Sequence, residues 1–142
     1  MTTAQQQLQA ALAAEHAAVY GYDVLGPHLA GDEQTQARQA GQAHRDRRDA
    51  LTLQLSRQRV TPTPAAPAYA LPIRVTDRAD ALKLAVLLEE RAAEVWGGAL
   101  AGLHGADRRR ALAAVTDYAV RAVHWRQRAE MTPTTVAFPG GN

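Results

Sequence analysis

The stretch VTPTPAAPAYALPIRVT, residues 60–76, holds four of the chain's seven prolines within positions 62–72. Proline has no amide N–H and its ring collides with the preceding turn, so a helix cannot pass through such a run and the backbone takes an extended path. On either side, apolar residues return every three or four positions, the period of one helix face. Leu8, Leu12, Glu15, Val19 and Tyr22 mark such a face within 3–30, and Ala37, Gly41, His44, Arg48, Leu51 and Leu55 mark one within 32–59. Beyond the prolines, helices are expected over 77–104 and 107–131, then a non-helical tail over 132–142. Thr2 or Thr3, Asp32, Thr76 or Asp77, and Asp107 supply N-cap side chains, while Gly26-Pro27 and Gly105 supply breaks. Period-two alternation is absent over any useful length. The expected fold is therefore all-α, one domain over 1–142: a four-helix bundle of two helical hairpins joined by a long Pro-rich crossover between helices 2 and 3.

A chain of 142 residues buries a core without covalent staples. It has no Cys, which excludes disulfides, zinc–thiolate sites, iron–sulfur clusters and cysteine nucleophiles. Ser56 is the only Ser, beside Arg57 at a helix end, so a Ser/His/Asp triad is not indicated. The opening MTTAQQQLQAALAAEHAA lacks a basic n-region and a continuous apolar run, so no signal peptide is expected. No window reaches about 18 apolar residues, so no membrane partner is expected either, and the expected location is cytoplasmic. The net charge is +2 with acids interleaved among bases. That pattern reads as a solvated mixed surface, with no nucleic-acid partner.

The polar residues on the helix faces are more specific. Glu15 is followed seven residues later by Tyr22, and Glu89 seven residues later by Trp96. Helix 2 carries His44 with Arg48, and helix 4 carries His124 with Arg128. The two hairpins are thus expected to be versions of one unit, with Glu15, His44, Glu89 and His124 facing the bundle axis. Glu90 competes with Glu89, and the alternate assignment stays open. The aromatic Trp96 on the same stripe as Glu89 favours Glu89. Gly97 and Gly98 inside helix 3 each cost about 1 kcal/mol relative to Ala. A close backbone approach there, by another helix or by a second copy in a homodimer around Trp96, Gly97 and Gly98, would offset that cost. Tyr69, Leu71 and Phe138 are apolar groups that would fasten the Pro-rich segments to the bundle.

The segments EHAAVYGYDVLG (15–26), AHRDRRD (43–49), PAAPAYALP (64–72), LLEERAAEVW (87–96), RAVHWR (121–126) and FPG (138–140) carry a likeness over nearly the whole chain. Their order and spacing resemble the ferritin-like superfamily and, more closely, a family of small uncharacterised bacterial ferritin-like proteins. The resemblance implies the fold. Di-iron and di-manganese members of the superfamily place one Glu on each of two helices and Glu-x-x-His on each of the other two. Carboxylates bridge the hard cations and histidines complete the coordination. By this resemblance Glu15 and Glu89 match the lone carboxylates, and His44 and His124 match the histidines. The positions three residues before those histidines hold Gly41 and Arg121, so two carboxylates are missing and a cation stands near one gap.

Three readings follow. In the first, the centre is degenerate, with Glu15, Glu89, His44 and His124 in a structural network with Arg48, Arg128 and Arg121. The protein then needs no cofactor and acts as a non-catalytic scaffold or interaction protein. In the second, Glu15, His44, Glu89 and His124 hold iron or manganese for storage or redox work, and any enzyme would be an oxidoreductase of the di-metal-carboxylate type. In the third, a small molecule binds at the polar bundle centre, which requires a cavity there.

Overall fold

The structure, a computed structural model, describes residues 1–135, so the anchoring role expected of Phe138 falls outside the described residues. Among those residues there are four α-helices and no strand: α1 Thr3–Leu25, α2 Gly31–Arg57, α3 Arg78–Ala99 and α4 Gly105–Arg128. The chain is an all-α four-helix bundle. None of these helices is long and apolar enough to cross a membrane.

Local chemistry sets the helix starts. Thr2 and Gln5 form a reciprocal capping box at the head of α1, and the Asp77 carboxylate accepts from the Asp80 amide at the head of α3. The other two starts differ from expectation. α2 and α4 follow Ala30 and His104, whose side chains make no cap. Asp32 and Asp107 lie instead in the first turn, where a carboxylate favours the positive end of the helix dipole. The two hairpin turns share one design. Each leading helix tightens into a 3-10 turn, Gly26–His28 or Leu100–Gly102, then a buried leucine follows, Leu29 or Leu103. Each turn then places a glycine in the left-handed region, Gly31 at φ 58° and Gly105 at φ 56°. This turn explains why α1 and α3 end before residues 30 and 104.

A Cβ at Gly31 or Gly105 would meet nothing within 4 Å, so only the backbone conformation demands glycine there. Gly31→Ala and Gly105→Ala are each expected to cost about 1–2 kcal/mol. The check is the urea midpoint, which should fall at unchanged slope. An unmoved midpoint would mean that the turn relaxes to a right-handed path.

Two apolar clusters fill the bundle, one near each end. The first joins Leu8 and Leu12 of α1, Leu51 and Leu55 of α2, Trp96 of α3 and Ala111 and Tyr118 of α4. The second joins Tyr22 and Leu25 of α1, Ala37 of α2, Leu82 and Leu84 of α3 and Trp125 of α4. The start of α1 thus meets the ends of α2 and α3 and the start of α4. Hence α1 and α4 run one way, and α2 and α3 run the other.

Consequently α2 ends at the opposite end of the bundle from the start of α3. Residues 58–77 cover that distance without helix, lying along α1. The Gln9 side chain donates to the Thr61 carbonyl at 2.7 Å and accepts from the Thr63 amide at 2.8 Å. His16 Nε2 lies 2.8 Å from the Thr63 carbonyl, and the Tyr69 ring packs on Tyr20 at 5.6 Å between centroids. Leu71, Ile73 and Val75 then rest on the second apolar cluster.

Candidate functional site: a buried polar layer

Between the two apolar clusters lie three fully buried ionisable side chains from three helices: Glu15, His44 and Glu89, each 0% exposed. His44 Nδ1 is 2.9 Å from Glu15 Oε1, and His44 Nε2 is 2.7 Å from Glu89 Oε2. Ionised carboxylates only accept, so an imidazole facing one on each side donates from both nitrogens and is an imidazolium. Burial pulls the His44 pKa down, but Glu89 and Glu15 outweigh it and raise it to about 9.

The remaining oxygens are also occupied. The Tyr118 hydroxyl donates to Glu15 Oε2. The Tyr22 hydroxyl donates to Glu89 Oε2 at 2.6 Å, and Trp125 Nε1 donates to that hydroxyl at 3.0 Å. Arg121 Nη1 donates to Glu89 Oε1 at 3.0 Å. The two carboxylates are balanced by two cations, His44 and Arg121. The imidazolium is sandwiched between aromatic faces, with the Tyr118 ring centroid at 4.4 Å and that of Tyr22 at 5.6 Å. A cation gains from such faces when water is excluded. Burial first, and then the facing carboxylates, raise both tyrosines above the ordinary phenol range.

The layer reaches the surface through one ion-pair bridge. Arg121 Nη2 lies 3.3 Å from Asp117, and Arg47 Nη1 of α2 donates to Asp117 at 2.9 Å. The Arg47 guanidinium also lies over the Tyr118 ring, 5.0 Å from its centroid. Half-burial raises the Asp117 pKa, but Arg47 and Arg121 outweigh it and hold the carboxyl below its usual range.

Of the expected site residues, the structure brings Glu15, His44 and Glu89 together with Arg121. Glu90 is half-buried and pairs outward with Arg126 at 2.6 Å. His124 is exposed and takes no part. It lies six residues beyond Tyr118, about 120° round the helix at 3.6 residues per turn, so it cannot share the inward face. Arg48 points outward to Asp49 at 2.9 Å, and the inward-leaning arginine is its neighbour Arg47. Arg128 lies about 10 Å further along α4 than Arg121 and approaches Glu33 at 4.0 Å near the bundle end. Trp96 is buried in the first cluster, and a Cβ at Gly98 would meet nothing within 4 Å, so among the described residues no helix approaches Gly98 closely.

The signal that finds the missed residues is a constant shift. Moving the sequence by 74 positions carries Leu8 onto Leu82, Glu15 onto Glu89, Leu29 onto Leu103, Gly31 onto Gly105, Ala40 onto Ala114 and Arg47 onto Arg121. The same shift carries Tyr22 onto Trp96 and His44 onto Tyr118, all four buried. Tyr118, not His124, is therefore the counterpart of His44. The reason is geometric: one imidazolium already fills the gap between the two carboxylates, so its counterpart must be a different group. Tyr118 stacks on the ring and supplies the hydroxyl that Glu15 still lacks.

The family described as "Domain of unknown function (DUF4439)" matches residues 7–142. The chain belongs to this family. A crystal structure of a conserved hypothetical protein from Mycobacterium tuberculosis is similar to this DUF4439 chain at 36% identity and a TM-score of 0.86. The match covers 96% of this chain and 97% of that one. No curated protein matches the sequence. Neither description assigns a reaction to the buried layer.

Proposed function

We propose that this protein is a ferritin-like bundle whose metal centre has been replaced by a metal-independent ion-pair layer, and that it works as a non-catalytic scaffold or interaction protein. The observation that carries the reading is the bonding of the carboxylates. All four oxygens of Glu15 and Glu89 accept from protein donors, and His44 and Arg121 match the two negative charges. The helix directions and the long connection between α2 and α3 support the ferritin-like reading, since a single long crossover is one of that fold's constructions.

The resemblance implies iron or manganese, and the donor set here does not suit a di-metal centre. Two divalent ions bring four positive charges to a layer already neutral. Both nitrogens of His44 are committed to carboxylates, and the second expected histidine, His124, is elsewhere. Among the described residues, no three carboxylate or imidazole side chains are grouped as a metal ion would require.

The test is elemental analysis of protein expressed with excess iron and manganese, beside His44→Ala. The expected result is no stoichiometric metal in either protein. About one or two ions per chain, lost on replacing His44, would overturn the proposal and favour the storage or redox reading.

A further inference from the structure

A cleft of about 560 Å³ opens between α2 and α4, below the Arg47–Asp117 bridge. Where α2 faces α4, long side chains span the gap, as when Gln54 donates to Asp107 at 2.8 Å. The cleft is the space those side chains leave. Its apolar wall is Leu51 and Leu53 of α2 with Trp96 of α3, and its cationic groups are Arg47, Arg57 and Arg110. Among the described residues, no carboxylate lines it. Arg47 is held by Asp117, and Arg110 lies 3.5 Å from Asp107. Arg57 has no carboxylate within ion-pair distance among the described residues.

Two features together describe an occupant. Leu53 is 51% exposed, an apolar side chain half open at the wall. The arginine heads offer planar donors that suit a carboxylate or phosphate. The volume lies within the about 300–1,000 Å³ usual for small-molecule sites. The stretch from Arg47 to Arg57 runs about 15 Å along α2 at about 1.5 Å per residue, room for an extended chain.

We propose that this cleft binds a monomeric anionic amphiphile. Its apolar chain lies against Leu51, Leu53 and the Trp96 indole, and its carboxylate or phosphate head sits between Arg57 and Arg110. The site's head-group residues, Arg57 and Arg110, lie outside the buried layer, and Arg47 is the one lining residue it shares with that layer's surface bridge.

The test uses the full chain and sodium decanoate as probe, below its micelle-forming concentration. The readout is the indole N–H resonance of Trp96 in ¹H–¹⁵N spectra, assigned with Trp96→Phe. Saturable movement of that resonance is expected with decanoate, with weaker binding as salt rises. Acetate and decan-1-ol, which lack one half of the ligand, should leave it in place. Arg57 and Arg110 are exposed, so the double variant Arg57→Glu/Arg110→Glu should fold and bind decanoate at least about tenfold more weakly. No response to decanoate overturns the proposal, as does an equal response in the double variant. Vesicles of anionic phospholipid separate a soluble ligand from a membrane. Cosedimentation with vesicles and no response to monomeric decanoate would make the cleft a membrane-docking surface, and the small-molecule site would fail.

Discussion

His44→Ala is expected to destabilise the fold by about 3–5 kcal/mol, the range for removing one partner of a buried ion pair. The imidazolium is the direct partner of both central carboxylates. Without it, Glu15 Oε1 loses its donor, and two buried negative charges are left with Arg121 as the one remaining cation. The alanine also leaves a void between the Tyr22 and Tyr118 rings, which adds a packing loss. Urea unfolding of the variant measures the sum. A second variant separates charge from packing: Glu15→Gln/His44→Leu/Glu89→Gln removes the ions together and fills the gap. It should be more stable than His44→Ala, because neutralising a buried set as a whole avoids stranding one member. If His44→Ala unfolds at the wild-type midpoint, the carboxylates are protonated in the native state and the ion-pair account fails.

Stability is also expected to fall by about 3 kcal/mol as pH rises from about 6.5 through about 9. The His44 pKa is about 9 in the fold and about 6.5 in an unfolded chain. Below the lower value both states hold the proton, and the imidazolium's contribution is complete. Between the two values the folded state retains a proton that the unfolded state has released, so each rise in pH favours unfolding. Above about 9 the contribution is gone. The groups facing the ring are Glu15, Glu89, Tyr22 and Tyr118, with Arg121 behind Glu89. The two tyrosines are raised above the ordinary phenol range, so neither ionises in this window. Urea unfolding across the window checks the slope, with His44→Ala as the comparison that should lack it. A wild-type profile as flat as that of the variant would contradict an imidazolium at the centre.

Much of this arrangement is legible in the chain because it depends on local rules. The four prolines of 62–72 exclude helix there, and the three- and four-residue recurrence around Leu8, Leu12 and Glu15 marks a helix whose inner face carries a carboxylate. The stripe that ends at Trp96 separates Glu89 from Glu90 in the sequence, and Glu89 is the one buried at the centre. The pairing of the hairpins is legible too, but only through a fixed shift of 74 residues. Matching like with like, His44 with His124, breaks that shift by six residues and selects an exposed side chain. The constant shift selects Tyr118, a residue of another type, because a pseudo-twofold centre has room for one bridging ring and not two. Arg47 was hidden for a similar reason. Its worth lies in Asp117 and the Tyr118 ring, both on α4, and nothing within helix 2 separates it from Arg48.

The sequence by itself determined the helical class, the break between the second and third helices, and the inward faces of Glu15, His44 and Glu89. These follow from backbone chemistry and from a period of 3.6, which act within a few residues. Only the tertiary structure decided how those groups are shared. One histidine serves two carboxylates, two tyrosines and an arginine complete their bonding, and the gap between α2 and α4 stays open below them. Those outcomes depend on distances between helices, set when four faces are packed together and every buried charge must find its partner in the space that remains.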